Sequence, residues 1–287
     1  PVVARNKKSL TINLRTPEGQ ELVKELIKST DILVENFRPG TMERWNLGYK
    51  ELKAINPRLI MVRVSGYGQT GPYSTRAGYG SIGEAMGGLR YVVGDPSTAP
   101  SRVGISIGDE LAATYACMGA LMALHHRNET GEGQVVDSAI YESVLAMMES
   151  LVSEYDVGGY TRERTGATLP NISPSNVFET RDGKMLLIAA NQDTVFRRLA
   201  AAMGRPEMAT DDRYATHTAR GANMTELDGM IADWTKTIDL EPLQDLLERN
   251  GVPCGLIYTA ADMLEDPHFK AREAIVELPH KDFGSIR

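Results

Sequence analysis

The sequence predicts an α/β fold with a parallel sheet in its first half and a smaller α+β region in its second. Three observations carry this. Apolar segments of strand length at 9–14, 31–37 and 59–65 are separated by helical patterns, and strands alternating with helices point to a parallel sheet. Residues 158–175 are rich in Gly, Thr, Pro, Ser and Asn and have little periodicity, so they read as a linker or functional loop. Beyond them, two apolar runs flank Arg181-Asp182-Gly183-Lys184, which is a hairpin signal, and three helical patterns follow.

Each element has a local cause. In 9–14, Leu10, Ile12 and Leu14 alternate with polar residues, the period of a strand. Thr16-Pro17 opens a helix, with Thr16 as N-cap and Pro17 at the first helical position, and Leu22, Val23, Leu26 and Ile27 form its apolar stripe. Arg38-Pro39-Gly40 is a turn, a short helix lies near 49–56, and 59–65 is a strand leading into the Gly-rich stretch 66–71. Residues 109–126 are apolar on nearly every side, so a buried helix is expected there. A strand near Val135 and one apolar helix over 138–155 complete the first half. In the second half, strands at 176–180 and 185–190 precede helices at 194–203, 224–236 and 240–250. A strand at 255–258 follows, and Asp266-Pro267 opens a last helix.

Composition excludes several classes. The 287 residues carry a net charge of −7, from 31 basic and 38 acidic side chains. That balance opposes nonspecific nucleic-acid binding, which needs a basic face. No apolar run approaches the ~20 residues of a membrane helix. Cys117 and Cys254 lie in apolar surroundings and read as buried small hydrophobes, which fits a reducing, cytoplasmic compartment (the mitochondrial matrix in a eukaryote). The five histidines and two cysteines show no metal-ligand spacing. No secretory leader is read at the start, Pro-Val-Val.

Two motifs fail on context. Residues 66–71 match G-x-G-x-x-G after a strand, but Pro72 and Tyr73 follow where a dinucleotide site needs a helix to begin, so the stretch is a Gly-rich loop that could line a pocket. Residues 104–108 match G-x-S-x-G around Ser106, with His217, His268 and His280 as bases by chain order. A loop-like segment precedes Ser106 instead of the strand an elbow requires. His125-His126 complements the negative end of the helix dipole.

Asp109 stands out. By position it is an N-cap or first-turn carboxylate, which a plain capping role would explain. Two features add a functional reading: the helix is apolar all round, so its start is expected inside the protein, and Gly104 and Gly108 let a bulky ligand approach the backbone. The positive end of a helix dipole also favours a carboxylate there.

Several segments, in order and spacing, resemble the family III CoA-transferases, which include formyl-CoA, carnitine and dicarboxylate CoA-transferases. They are Arg5-Asn6-Lys7-Lys8-Ser9-Leu10, residues 31–40 and 65–72, Gly108-Asp109 with the helix behind it, and Thr130-Gly131-Glu132-Gly133-Gln134. The match extends weakly to the C-terminus. The resemblance implies a Rossmann-like large domain with a parallel sheet, a smaller α+β domain and an interlocked homodimer. It divides the chain into a CoA-binding domain at 1–157, a linker at 158–175, a small domain at 176–265 and a segment at 266–287 returning to the large domain. The match begins partway into the family pattern, so the chain is expected to be a fragment without the N-terminal strand–helix–strand unit, and its C-terminal tail looks short.

The resemblance also implies roles. Asp109 is the catalytic aspartate, with CoA or acyl-CoA as substrate and no permanently bound cofactor. Lys7 and Arg44 contact CoA and Tyr79 lies near the reacting carboxyl; alone, Lys7 and Arg44 read as solvated charges and Tyr79 as a core aromatic. CoA phosphates want cations, which Lys7, Lys8, Arg38 and Arg44 supply. The carboxylate attacks an acyl-CoA thioester, giving a mixed anhydride and then an aspartyl-CoA thioester, so one hard exchange becomes easier steps. Backbone amides of Gly-rich loops would stabilise the oxyanions, a contribution of ~3 kcal/mol per donor. The region near 166–175 lacks the glycine run of formyl-CoA transferases, and Tyr79 stands where the racemases carry a His. What remains is transfer between a donor such as succinyl-CoA and a small mono- or dicarboxylic acid, with Arg162 or Arg164 pairing with a distal carboxylate. The alternatives are an isomerase of the same fold (an intramolecular CoA transferase or a racemase), a serine hydrolase through Ser106, and a non-catalytic acyl-CoA-binding protein.

Overall fold

Residue 4 and residues 6–287 are described by a computed structural model. Arg5, in the first matching segment, lies outside the described residues. The chain divides into two compact units, one ending at Gly166 and one running Ala167–Arg287, a division that falls within 158–175.

In the first unit, α1 (Pro17–Ile27) precedes a three-stranded parallel sheet of β1 (Ile32–Glu35), β2 (Ile60–Ser65) and β3 (Val135–Ala139), ordered β1-β2-β3. Parallel strands need crossover connections. The first holds α2 (Thr41–Arg44) and α3 (Tyr49–Ile55). The second holds α4 (Gly80–Met86), α5 (Leu89–Val92) and α6 (Ile107–Thr130). The central strand β2 is buried on both faces by its period of two. Met61 joins Ile27, Leu47 and Leu52 in one core, while Ile60 and Val62 meet Ala116, Ala120 and Ala123 of α6 in another. Small residues let α6 lie close to the sheet: a Cβ at Gly119 would stand 2.7 Å from Val136 Cγ1. At its C-terminus, buried Arg127 donates to the carbonyls of Asp31 and Arg58, and Gly131 closes the helix at φ 82°.

Four expectations are corrected. Residues 9–14 form no strand, and Leu10 is exposed; the alternation is there, but no sheet partner is among the described residues. The helix α6 buries a single stripe, leaving Met118, Leu121 and Met122 exposed, because nothing in the described unit covers its second apolar face. Cys117, on that face, is exposed as well, and Cys254 is half-buried. The 138–155 helix is interrupted: Ser138 and Ala139 belong to β3, and α7 (Ile140–Leu145) is separated from α8 (Leu151–Gly158) by a turn with Glu149 at φ 51°.

The second unit is built on an antiparallel sheet of β4 (Ser175–Glu179), β5 (Met185–Ala189) and β6 (Cys254–Leu256), ordered β4-β5-β6. Gly183, at φ 74°, makes the hairpin turn. Leu186 and Ile188 are fully buried while Met185 and Leu187 are exposed, so one sheet face carries the core. That face packs with α9 (Asp193–Ala202), α11 (Met224–Thr235) and α12 (Leu240–Arg249) through Phe196, Leu199, Leu227, Leu243 and Leu247. Between α9 and α11, α10 (His217–Ala222) carries Arg220, a guanidinium with no solvent exposure. It donates to the carbonyls of Tyr214 and Asn191, pairs with Asp193 at 2.7 Å and stacks on Phe196. Helices α13 (Ala260–Glu265) and α14 (Pro267–Ala271) and a hairpin of β7 (Leu278–His280) and β8 (Gly284–Ile286) end the chain.

Candidate active site

In an open parallel sheet, ligands sit beyond the carboxyl ends of the strands. A cavity of about 430 Å³ occupies that position in the first unit. Its walls come from the turn after β1, the end of β2, the segment 74–79, the start of α6, and Ile140 just past β3. Three of the sequence-expected residues, Asp109, Arg38 and Tyr79, line it together.

Asp109 is the third residue of α6, whose N-cap is Ser106. Contrary to expectation it is exposed rather than enclosed, because the first turn of α6 opens onto the cavity. Glycines fix its seat. A Cβ at Gly80 would lie 2.5 Å from Asp109 Oδ2, and a Cβ at Gly108 would lie 3.0 Å from the Gly80 carbonyl. The first turns of α4 and α6 therefore meet at glycine, and the Asp109 carboxylate rests against the start of α4. A second close approach joins the loops: a Cβ at Gly66 would stand 2.9 Å from Gly78 Cα. The Gly-rich loop after β2 starts no helix, and its Gln69 N–H donates to Asp137 on β3 at 2.8 Å.

A buried ion network props the turn that presents Arg38. Arg63 on β2 pairs with Glu35, its register partner on β1, at 2.7 Å, and with Glu43 at 2.7 Å. The second Glu35 oxygen accepts the Phe37 N–H at 2.7 Å. The hydrogen bond from Arg63 holds the Glu43 carboxyl below the usual glutamate range, against the opposing effect of burial. The same two carboxylates raise Arg63 further, although burial pulls the other way.

Arg76 shares the cavity wall and was not singled out from the sequence. Its guanidinium lies 3.7 Å from the centre of the Tyr73 ring, which in turn meets Tyr67 edge-on. The sequence signal for this arginine is its place beside Gly78 and Gly80, glycines that let the backbone come close to a ligand. Among the described residues, neither Arg38 nor Arg76 takes part in an ion pair.

Other expected residues lie elsewhere. Lys7 and Arg44 do not line the cavity, and Arg44 donates to Thr41 at 2.8 Å. Tyr79 is exposed, so it is not a core aromatic. Arg162 is engaged by Glu149 at 2.9 Å and by Glu154 at 2.5 Å, and Arg164 donates to the carbonyls of Asp95 and Tyr91. No strand precedes Ser106, so the elbow geometry is absent. The described residues hold no cluster of metal-ligating side chains, and no helix among them is long and apolar enough to cross a membrane.

Known proteins match the chain throughout. The sequence profile described as CoA-transferase family III matches residues 1–287. The chain is similar to succinyl-CoA–D-citramalate CoA-transferase of Chloroflexus aurantiacus, at 59% identity over the whole chain and 71% of that protein. It is 36% identical to succinate–glutarate CoA-transferase of Agrobacterium fabrum, over 97% of the chain and 69% of that protein. A crystal structure of a CAIB/BAIF family protein from Brucella suis superposes with a TM-score of 0.82 at 36% identity, covering 95% of the chain and 71% of the other. A match over every residue, with the mixed α/β fold and parallel sheet to go with it, settles the family: the chain belongs to CoA-transferase family III.

Proposed function

We propose that the protein moves CoA from succinyl-CoA to a short dicarboxylic acid, with Asp109 as the covalent nucleophile. The observation that carries this is the placing of Asp109, Arg38 and Tyr79 in one cavity at the carboxyl ends of the strands. The donor and acceptor class rest on similarity to enzymes named for succinyl-CoA with citramalate and for succinate with glutarate.

The Asp109 carboxylate adds to the thioester carbonyl and expels CoA thiolate, forming a mixed anhydride. The thiolate attacks the aspartyl carbonyl, releases succinate and leaves an aspartyl-CoA thioester. The acceptor carboxylate then attacks that thioester, and the returning thiolate takes the acceptor's acyl group and frees Asp109. Each step exchanges one acyl bond for another, with no net redox change. Arg38 supplies a cation for a CoA phosphate, and Tyr79 stands at the reacting carboxyl. Lys7 and Arg44 are further CoA contacts on the family resemblance, and no resident cofactor enters the scheme. We also propose the homodimer; the exposed apolar residues of α6 support it.

Mass spectrometry after incubation of the full-length protein with succinyl-CoA and hydroxylamine tests the mechanism. A hydroxamate on the Asp109 peptide is expected, absent from Asp109→Ala. Turnover without any adduct at Asp109, or turnover by Asp109→Ala, would sink the assignment.

A further inference from the structure

We propose that Arg76 binds the free carboxylate of the succinyl group and of the diacid acceptor, and so sets the preference for dicarboxylates. This rests on the function proposed above and adds a residue to it. A diacid has one carboxylate at the reacting end, against Asp109, and a second that enters the cavity still charged. Removing a carboxylate from water is costly unless a cation and hydrogen-bond donors meet it.

Among the described residues the cavity wall offers two cations, Arg38 and Arg76. Arg38 sits on the turn after β1, the wall assigned to CoA. Arg76 precedes by four positions Gly80, on which the Asp109 carboxylate rests, so its Cα lies at most about 14 Å from that of Gly80. An arginine side chain and a short diacid together span such a gap. The Tyr73 ring covers one face of the Arg76 guanidinium at 3.7 Å, which fixes its plane and leaves its edge of N–H donors for a bidentate carboxylate contact. Among the described residues no acidic side chain neutralises it. The two arginines expected from the sequence to do this work are already engaged: Arg162 by two glutamates and Arg164 by two carbonyls.

The test is calorimetric binding of free CoA, propionyl-CoA and succinyl-CoA to full-length wild type, Arg76→Gln and Arg76→Lys. Propionyl-CoA has the succinyl chain without its terminal carboxylate. Arg76→Gln is expected to weaken succinyl-CoA about 10- to 100-fold, the size of a lost charge-assisted contact. CoA and propionyl-CoA should bind as in wild type, and Lys should restore part of the loss. Equal weakening of all three ligands would make Arg76 a CoA-phosphate contact and overturn the inference, as would unchanged succinyl-CoA affinity. Since Arg76 is exposed, the variants should fold, and an unchanged Tm checks this. The hydroxylamine experiment separates the two readings. A wild-type Asp109 adduct with unchanged Arg76→Gln affinities removes the Arg76 role alone. A selective succinyl-CoA loss without any adduct removes the nucleophile assignment and leaves the carboxylate site.

Discussion

The Asp109 carboxylate lies against Gly80 so closely that a methyl group there would stand 2.5 Å from Oδ2. Gly80→Ala therefore displaces the carboxylate. Because the displaced atoms are the end of a side chain, the fold yields easily, and Tm should change by no more than a few degrees. Displacing a reacting group by about 1 Å can cost ~100-fold in rate. A loss of kcat of that order, with CoA affinity kept, is expected in steady-state kinetics. Wild-type kcat in Gly80→Ala would remove Asp109 from the chemistry.

Acid should loosen the turn behind Arg38. Glu43 has a folded pKa lowered chiefly by the Arg63 hydrogen bond, so its contribution to stability is present above the unfolded value near 4.3 and is lost as pH falls through the folded value. The side chain is 45% exposed, so solvent screening keeps the effect below about 1 kcal/mol. Urea unfolding between pH 6 and 3 should show a decline at the acid end that is shallower in Glu43→Gln. Identical pH profiles would contradict the assignment.

Arg220 is the strongest structural test in the second unit. Its guanidinium is wholly buried, serves the carbonyls of Tyr214 and Asn191, and pairs with Asp193. Arg220→Leu strands those acceptors, and a loss of about 3–5 kcal/mol is expected. Chemical denaturation measures it; a change under 1 kcal/mol would mean that water replaces the arginine.

Self-association is the measurement for the α6 face. Met118, Leu121 and Met122 are 50%, 60% and 70% exposed. If a second copy covers them, Leu121→Asp should shift the full-length protein toward monomer in sedimentation equilibrium. A monomeric wild type would sink the dimer proposal.

The parts visible in the sequence were those where local pattern and tertiary environment agree. Residues 59–65 are apolar but for Arg63 and Ser65 and became the strand buried on both faces, and Asp182-Gly183 made the hairpin it signalled. Residues 9–14 show that alternation without a partner makes no strand. Helix α4 went unseen because Gly80 and Gly83 weaken helix propensity, yet a Cβ at Gly83 would lie 2.5 Å from Ile140 Cγ2, so the glycine is there for contact with α7. Within the site, Asp109 was legible from its place at the start of an apolar helix and from the family resemblance, Arg38 from the cations a CoA phosphate needs, and Tyr79 from the resemblance alone. Arg76 was not, because a lone arginine in a polar segment gives no periodic signal until the fold sets it on the wall of the cavity that Asp109 also lines.

The order of the sheet also sets a schedule. β2 can pair with β1 once both have been made, but β3 arrives only after the Gly-rich loop, α4, α5 and α6 have been made. Long-range parallel pairing is slow to close. Ile140, the last wall of the Asp109 cavity, follows β3 directly, so the cavity is among the final features of its unit to form. A nascent chain halted before that point holds the nucleophile and both cavity arginines, with no finished pocket to put them in.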